Sequence, residues 1–194
     1  MKNSIEEKFY EDEDFDNMVY DDKHITGTDF SDCRFYKSSL KGCLFEECNF
    51  ENCTFEDCDL SLIKFKRTCF SDGNIINCKA IGINWSEVVN ALSVNFKHSR
   101  ISFSGFFGKN LKKSQFTDCV ADEVDFTDCN LSQSVFTGTD LCNARFENTD
   151  LTKADFAGAK NYLINTKTNK IKGAKFSLPE ALSLLKSLDI VLVE

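Results

Sequence analysis

The sequence predicts a solenoid, a rod of short repeating units that bury their apolar residues only by stacking on one another. Two observations predict it. A hydrophobic residue, most often Phe or Leu, occupies every fifth position over residues 30–75 and, after a shift of one residue, over 96–156. A small residue stands two positions before most of these centres, as Cys48 stands before Phe50. A five-residue period fits neither a helix nor an ordinary strand.

The N-terminal segment, residues 1–25, is strongly acidic but already keeps the period. Its residues on that period are aromatic or aliphatic: Tyr10, Phe15, Tyr20 and Ile25. Terminal repeats of solenoids are atypical and cap the stack. We therefore expect an imperfect opening coil here, followed by regular repeats up to about residue 85.

The repeats are interrupted near residues 86–95, because Phe96 follows Trp85 by eleven residues rather than ten. The pattern predicts a loop or one short helical turn that projects from the rod. Its apolar residues would anchor a partner or fold back over the interruption, and folding back is the favoured alternative. These residues are Val88, Val89 and Leu92. Phe103 and Phe107 lie nearby, off the period, and are candidates to pack against this segment.

The C-terminal segment, residues 177–194, differs from the repeat region 1–176. Ser177 with Glu180 three residues later, and Pro179 between them, predict the start of a helix. Residues 190–193 predict a short strand. The end of a solenoid exposes apolar side chains and unpaired backbone groups, so we expect this helix to cover the end and to pair with a second copy. The predicted dimer contacts are Leu182, Leu185, Leu188 and Ile190.

Ten cysteines would ordinarily suggest disulfides or a metal site. Eight of them occupy the small position of the repeat, where Cys serves as a compact buried residue. These are Cys33, Cys43, Cys48, Cys53, Cys58, Cys78, Cys119 and Cys129. Cys69 and Cys142 lie off that position and are predicted to be the more exposed thiols. No C-x-x-C pair occurs and the chain has two histidines, so we expect no metal and no cofactor.

Charge alternates along the chain, which the net value of −8 conceals. The balance is −11 over residues 1–60, +7 over 61–115, −7 over 116–156 and +3 over 157–194. Most acidic residues stand beside the apolar centres and are expected to point outward. The sequence shows no signal peptide and no apolar stretch near the roughly 20 residues that span a membrane, which favours a cytoplasmic protein.

Catalytic motifs are absent from the sequence. The Gly105–Gly108 run has neither the spacing nor the lysine of a phosphate-binding loop. His24 and His98 lie in polar, outward-facing settings that do not suit a nucleophilic site. We therefore expect no enzyme and no small-molecule substrate, and the net charge disfavours direct binding of nucleic acid.

Three five-residue units, Cys48–Asn52, Thr139–Asn143 and Ala154–Gly158, resemble the A(D/N)Lxx unit of the pentapeptide-repeat family. The resemblance covers roughly residues 10–176. It implies an all-β fold, a right-handed quadrilateral β-helix with four units per coil. The units would make about six coils, each rising about 4.8 Å, in a rod on the order of 30 Å long.

The two ends carry a narrower resemblance. The acidic opening Tyr10–Phe15 and the closing helix that starts near Ser177 resemble the Qnr quinolone-resistance proteins and the microcin B17 immunity protein. That resemblance implies a homodimer joined by the C-terminal helix, which mimics DNA, binds DNA gyrase or topoisomerase IV and protects it from quinolones or toxins. The contacts would be acidic residues beside the dimer joint: Asp118, Asp122, Asp125, Asp128, Asp140 and Asp150. The alternative is an interaction scaffold for a different protein.

Overall fold

The architecture is a solenoid of parallel strands with about eight turns. A computed structural model describes residues 4–188 and 190 of the chain. The chain returns to the same side of the rod every 20 residues, so that Phe15 pairs with Phe35 and Phe35 with Phe55. Four units of five residues therefore make one coil. The structure confirms the predicted all-β solenoid.

The number of coils is larger than the six expected from the sequence. Residues near both ends also coil: Phe9–Glu11 pairs with Asp29–Ser31, and Asp155 pairs with Lys175. Each strand takes its register from its neighbour, so units that depart from the repeat consensus still add to the stack. Eight coils at the strand spacing make a rod about 38 Å long.

The strands are short, and most lie before residue 98. Their bounds are β1 Phe9–Glu11, β2 Asp14–Asp16, β3 His24–Thr26, β4 Asp29–Ser31, β5 Arg34–Tyr36, β6 Leu44–Glu46, β7 Asn49–Glu51, β8 Thr54–Glu56, β9 Lys64–Lys66, β10 Cys69–Ser71, β11 Gly73–Ile76, β12 Val94–Lys97, β13 Phe116–Thr117, β14 Asp155–Phe156 and β15 Lys175–Phe176. These strands form four parallel sheets along the sides of the rod, in the orders β1-β4-β7-β10, β2-β5-β8-β11-β12-β13, β3-β6-β9 and β14-β15.

The apolar centres fill the inside of the rod in columns. Within a column the rings stack: the centroids of Phe15 and Phe35 are 4.6 Å apart with 5° between the ring planes. Between columns the rings meet edge to face, as for Phe126 and Phe136 at 5.7 Å and 81°. Aromatic pairs of these two geometries add to the stabilisation that burial provides.

In most units whose small position holds Thr, Ser or Cys, the side chain takes part in a buried hydrogen-bond ladder. Thr68 Oγ1 donates to the carbonyl of Phe45 at 2.8 Å and accepts the N–H of Cys48 at 3.3 Å. Because buried backbone groups need partners, this position accepts Thr, Ser and Cys. The eight cysteines predicted to be buried are buried, and Cys69 and Cys142 are partly exposed, as predicted.

The rod turns its corners at the second residue after nearly every centre, where φ is positive. Gly, Asn and Asp tolerate this left-handed conformation best, and they fill most corners. Among the described residues with positive φ, Leu62 (61°) and Phe103 (60°) are the two with large apolar side chains.

The interruption near residues 86–95 is one extra residue. Pairing changes there from 20 to 21 residues, since Gly73 pairs with Val94. A 3₁₀ turn spans Trp85–Glu87. Val88 and Leu92 are buried whereas Val89 is 38% exposed. The segment folds back into the rod and does not project as a loop.

Phe103 and Phe107, the candidates to pack against this segment, are not buried by it, because each is 55% exposed. Both point outward because they stand on outward-facing positions of their units, Phe103 at a corner and Phe107 directly after the centre Phe106.

The C-terminal segment forms a 3₁₀ helix, Glu180–Leu188. Ser177 does not cap it as predicted; its Oγ accepts the N–H of Gly158 at 2.9 Å and so attaches the segment to the last coils. Leu184 packs against the core. Of the predicted strand, residues 191–193 lie outside the described residues. Within the part of the chain that the structure describes, no helix is long and apolar enough to cross a membrane.

Candidate interaction surfaces

The six predicted acidic contacts lie on all four sides of the rod. The residues that directly precede a centre are Asp125, Asp140 and Asp150. The residue that directly follows a centre is Asp122, and the residues at left-handed corners are Asp118 and Asp128. The structure therefore does not bring them together on one face.

The three aspartates that precede a centre stabilise their own coils. Asp125 Oδ1 accepts the N–H of Thr127 at 2.9 Å, and Asp140 and Asp150 accept the equivalent N–H groups at 3.1 and 2.9 Å. Such Asx turns fix the backbone locally. A hydrogen bond from the Thr152 side chain also lowers the pKa of Asp150 below its ordinary value. A structural role accounts for these three carboxylates without a partner.

The corner carboxylates have no such structural role. Asp118 Oδ2 lies 3.7 Å from His98 Nδ1, and both side chains are about half exposed. Asp128 stands two corners farther along the chain, half a coil from Asp118. Glu123, which sequence reasoning missed, stands on the corner between them. The signal for Glu123 is its place two residues after the centre Ala121. Asp118, Glu123 and Asp128 are the acidic residues of 116–156 best placed to meet a partner.

Charge density along the rod axis is high in two separate segments. Residues 116–156 carry −7 over about two coils, or about one net charge per 1.4 Å of axis at the strand spacing. Residues 1–60 carry −11 over about three coils, or about one per 1.3 Å. Duplex DNA carries one negative charge per ≈ 1.7 Å. The basic belt, residues 61–115, separates the two segments.

Ion pairs mark the junction between the first acidic segment and the basic belt. Glu46 Oε1 lies 2.8 Å from Lys66 Nζ and 2.7 Å from Arg67 Nη2. The hydrogen bond from Lys66 is the main cause that lowers the pKa of Glu46. The acidic segment and the basic belt are thus joined by ion pairs between neighbouring coils of opposite charge.

The predicted dimer contacts lie on and just after the C-terminal 3₁₀ helix. Leu182, Leu185 and Leu188 recur every three residues and therefore share one face of that helix. Leu182, Leu188 and Ile190 are about half exposed and Leu185 is partly buried. We call these four residues the C-terminal apolar patch. Among residues 4–188 and 190, no group of three His, Cys, Asp or Glu side chains is arranged to hold a metal ion.

Comparisons with known proteins agree with this geometry. The family model described as "Pentapeptide repeats (9 copies)" matches residues 24–62, and the one described as "Pentapeptide repeats (8 copies)" matches residues 108–138 and 129–160. No curated protein matches the sequence.

Two solved structures have a similar fold. A trypsin-treated variant of QnrB1, a plasmid-mediated fluoroquinolone resistance protein, aligns with a TM-score of 0.67 at 17% identity, covering 93% of this chain and 100% of that chain. HetL, a pentapeptide repeat protein involved in heterocyst differentiation regulation from the cyanobacterium Nostoc sp. strain PCC 7120, aligns with a TM-score of 0.57 at 14% identity, covering 85% of each chain. At these identities the likeness establishes the fold alone.

Proposed function

We propose that this chain, whose residues 24–62 and 108–160 match pentapeptide-repeat models, is a non-catalytic rod that binds a type II topoisomerase in place of duplex DNA. The partner is DNA gyrase or topoisomerase IV, and the rod modulates the enzyme or protects it from quinolones or toxins. The site of action is the cytoplasm.

The observation that carries this proposal is the linear charge density of residues 116–156. Surfaces that bind duplex DNA are basic and attract a dense line of negative charge over a long range. A rod with a similar density, distributed around its circumference as phosphates are, competes for such a surface. QnrB1, which has a similar fold, is itself a plasmid-mediated fluoroquinolone resistance protein, which supports testing this chain for protection from quinolones.

The C-terminal apolar patch supports a homodimer. Two copies joined end to end through Leu182, Leu188 and Ile190 would cover side chains that are exposed in one copy. Their two 116–156 segments would then lie on either side of the joint and form a longer acidic surface at the centre of the assembly. The basic belts would lie farther out, beyond that surface.

The test is gyrase supercoiling of relaxed plasmid with the protein titrated in, with and without a fluoroquinolone, repeated with topoisomerase IV. We expect protection from the drug, or inhibition of supercoiling, at micromolar protein. No effect on either enzyme contradicts the proposal.

A charge-neutralising variant locates the contact. Asp118→Asn, Glu123→Gln and Asp128→Asn together remove three charges from corners, where Asn is well tolerated, and leave the Asx turns intact. We expect at least roughly tenfold more protein to be needed for the same effect, because the contact is electrostatic.

The matched control neutralises three N-terminal corners, Asp12→Asn, Asp22→Asn and Asp32→Asn, with the same change in charge. A loss confined to the central triple variant supports the 116–156 surface. Equal losses in both variants show that only total charge matters, and a loss confined to the control moves the contact to the first acidic segment. Circular dichroism checks that both variants remain folded.

A further inference from the structure

One corner of the rod carries two residues that are unusual at such a position. Leu62 and Phe103 hold left-handed backbone conformations and are 51% and 55% exposed. Bulky side chains in this conformation are strained, and so little burial of these side chains does not offset that strain. They stand on the same corner column, two coils apart, while most other corners hold Gly or polar residues.

The corner residue between the two side chains is Gly82, and the Leu62 side chain leans over it. A Cβ at Gly82 would lie 2.9 Å from Leu62 Cδ2, so the glycine leaves room for Leu62 to extend toward Phe103. A shallow cavity of about 450 Å³ opens on the flank of Leu62 away from Phe103. Its lining includes the carboxylates of Asp22 and Glu87 beside Lys64, so an acidic ligand would avoid this cavity.

The apolar surface extends to both adjoining sides. Ile81 is partly exposed directly before Gly82. Phe107 is exposed on the next side of the coil that holds Phe103, and the outward position between them is Gly105. We call Leu62, Ile81, Phe103 and Phe107 the apolar corner.

Two unpaired cations lie beside the apolar corner. Lys79 and Arg100 are stacked in register on one side of the rod, in neighbouring coils. Among the described residues neither has an ion-pair partner, whereas Arg34 and Arg67 do. Like charges in register repel each other. Asp59 stands in register with Lys79 in the preceding coil, and it forms no ion pair with Lys79 within the described part of the chain.

We propose that the apolar corner binds a short acidic peptide segment of a partner protein. An apolar side chain of the peptide packs on the exposed surface of Leu62 and Phe103. Its carboxylates contact Lys79 and Arg100, which is the charge complementarity that identifies the occupant. Asp122 and Glu123 in the following coil would repel a longer polyanion, which disfavours a nucleic acid. The inference does not depend on the topoisomerase proposal, because it stands on a different surface.

The test is selection of peptides from a random 12-residue phage-displayed library on the immobilised full-length protein. We expect enriched peptides that combine Asp or Glu with a large apolar residue. Synthetic copies should bind in fluorescence anisotropy and lose at least roughly tenfold in affinity for Leu62→Asn or Phe103→Asn, as contacts at the centre of an interface do. Lys79→Gln with Arg100→Gln should weaken binding and remove its salt dependence.

The matched control is Gln133→Asn, at a left-handed corner on another side of the rod; it should leave binding unchanged. Thermal unfolding distinguishes lost contacts from lost folding, because Asn suits the left-handed conformation and should keep the melting temperature of both corner variants at or above that of the wild type. No enrichment, enriched peptides without acidic residues, or binding unaffected by Phe103→Asn overturns the proposal. Corner-dependent binding of a labelled 12-nucleotide oligo-dT in its place would assign the surface to single-stranded nucleic acid.

Discussion

Two regions of this rod are built from the same five-residue unit but are held together differently. The strand coils, residues 9–97, have short strands on three of their four sides. The turn coils, residues 98–160, mostly replace strands by β-turns in which the centre accepts an N–H from three residues later, as Leu131 does from Ser134 at 3.1 Å. In the strand coils this turn occurs at Leu40, on the remaining side.

The difference shows that acidic residues have two meanings in one chain. In the turn coils, Asp or Asn before the centre completes a turn, as Asp125 and Asn130 do. In the strand coils, carboxylates such as Glu51 stand on the outer surface with no turn to hold. A turn-forming carboxylate still adds to the charge of the rod, but it needs no partner to explain its place. Individual contact residues are therefore better sought among the carboxylates that hold no turn.

The largest expected effect tests whether the core is equally strong in the two regions. Phe35→Ala should lower the free energy of unfolding by about 3–5 kcal/mol, because Phe35 is stacked between the rings of two neighbouring coils with both centroid distances 4.6 Å. Phe136→Ala, in the turn coils, should cost about as much, because Phe136 is stacked in the same way with centroid distances of 5.0 and 4.8 Å. Urea titrations followed by far-ultraviolet circular dichroism measure both. A clearly smaller cost for Phe136→Ala would show that the two regions differ in their core as well as in their backbone.

An intermediate effect is expected from the Asx turns. Asp125→Ala leaves the N–H of Thr127 without its acceptor and should cost about 1 kcal/mol, while Asp125→Asn should cost less because Asn130 makes the same turn. Thr54→Ala is the control, since Thr54 holds the equivalent position in a strand. Thermal unfolding compares the three variants. A loss for Thr54→Ala as large as for Asp125→Ala would remove the distinction between the regions.

The smallest expected effect is a pH dependence at the C-terminal end of the turn coils. The hydrogen bond from the backbone N–H of Ala157 is the main cause that lowers the pKa of Asp155, and the hydrogen bond from Lys175 is the second. The hydrogen bond from the Thr152 side chain is the main cause that lowers the pKa of Asp150. A lowered pKa in the folded state stabilises the fold above the unfolded value and is lost as the pH falls. The contribution should therefore begin to disappear as the pH drops past the ordinary value of 3.8.

The double variant Asp150→Asn with Asp155→Asn keeps the turns but removes these charges. It should be less stable than the wild type at pH 6 by about 0.5 kcal/mol, because the groups are partly exposed. The difference between the two unfolding free energies should shrink as the pH falls below 3.8 and vanish once the pH is below the lowered folded-state pKa values. A constant difference across this range would contradict the assignment.

The core of the rod could be predicted from the sequence, because it depends only on the period. Phe50, Cys53 and Phe55 are buried by their position within the unit. The choice between strand and turn could not be predicted: Phe50 is the centre of a strand and Phe126 of a turn, although both units have similar composition. The backbone conformation of each coil depends on the coil it stacks on, and the sequence of a single unit contains no information about that neighbour.

The interaction surfaces were less predictable because they depend on the side of the rod. To assign a residue to a side, one must know where within residues 90–93 the extra residue lies, and periodicity alone does not show this. The signal for the apolar corner was present in Leu62 and Phe103, each two residues after a centre. It becomes meaningful only once the corner conformation is known to disfavour such side chains.

Because each coil holds 20 residues, a residue number locates its residue on this rod once the extra residue is allowed for. When the number is divided by 20, the quotient gives the height along the rod and the remainder gives the side. Removing one whole unit, such as residues 68–72, would therefore act as a quarter rotation. Leu62 and Phe103 would move to neighbouring corners while the composition of the surface hardly changed. In a chain of this kind, a deletion in multiples of five separates the arrangement of a surface from its chemistry, which substitutions cannot do.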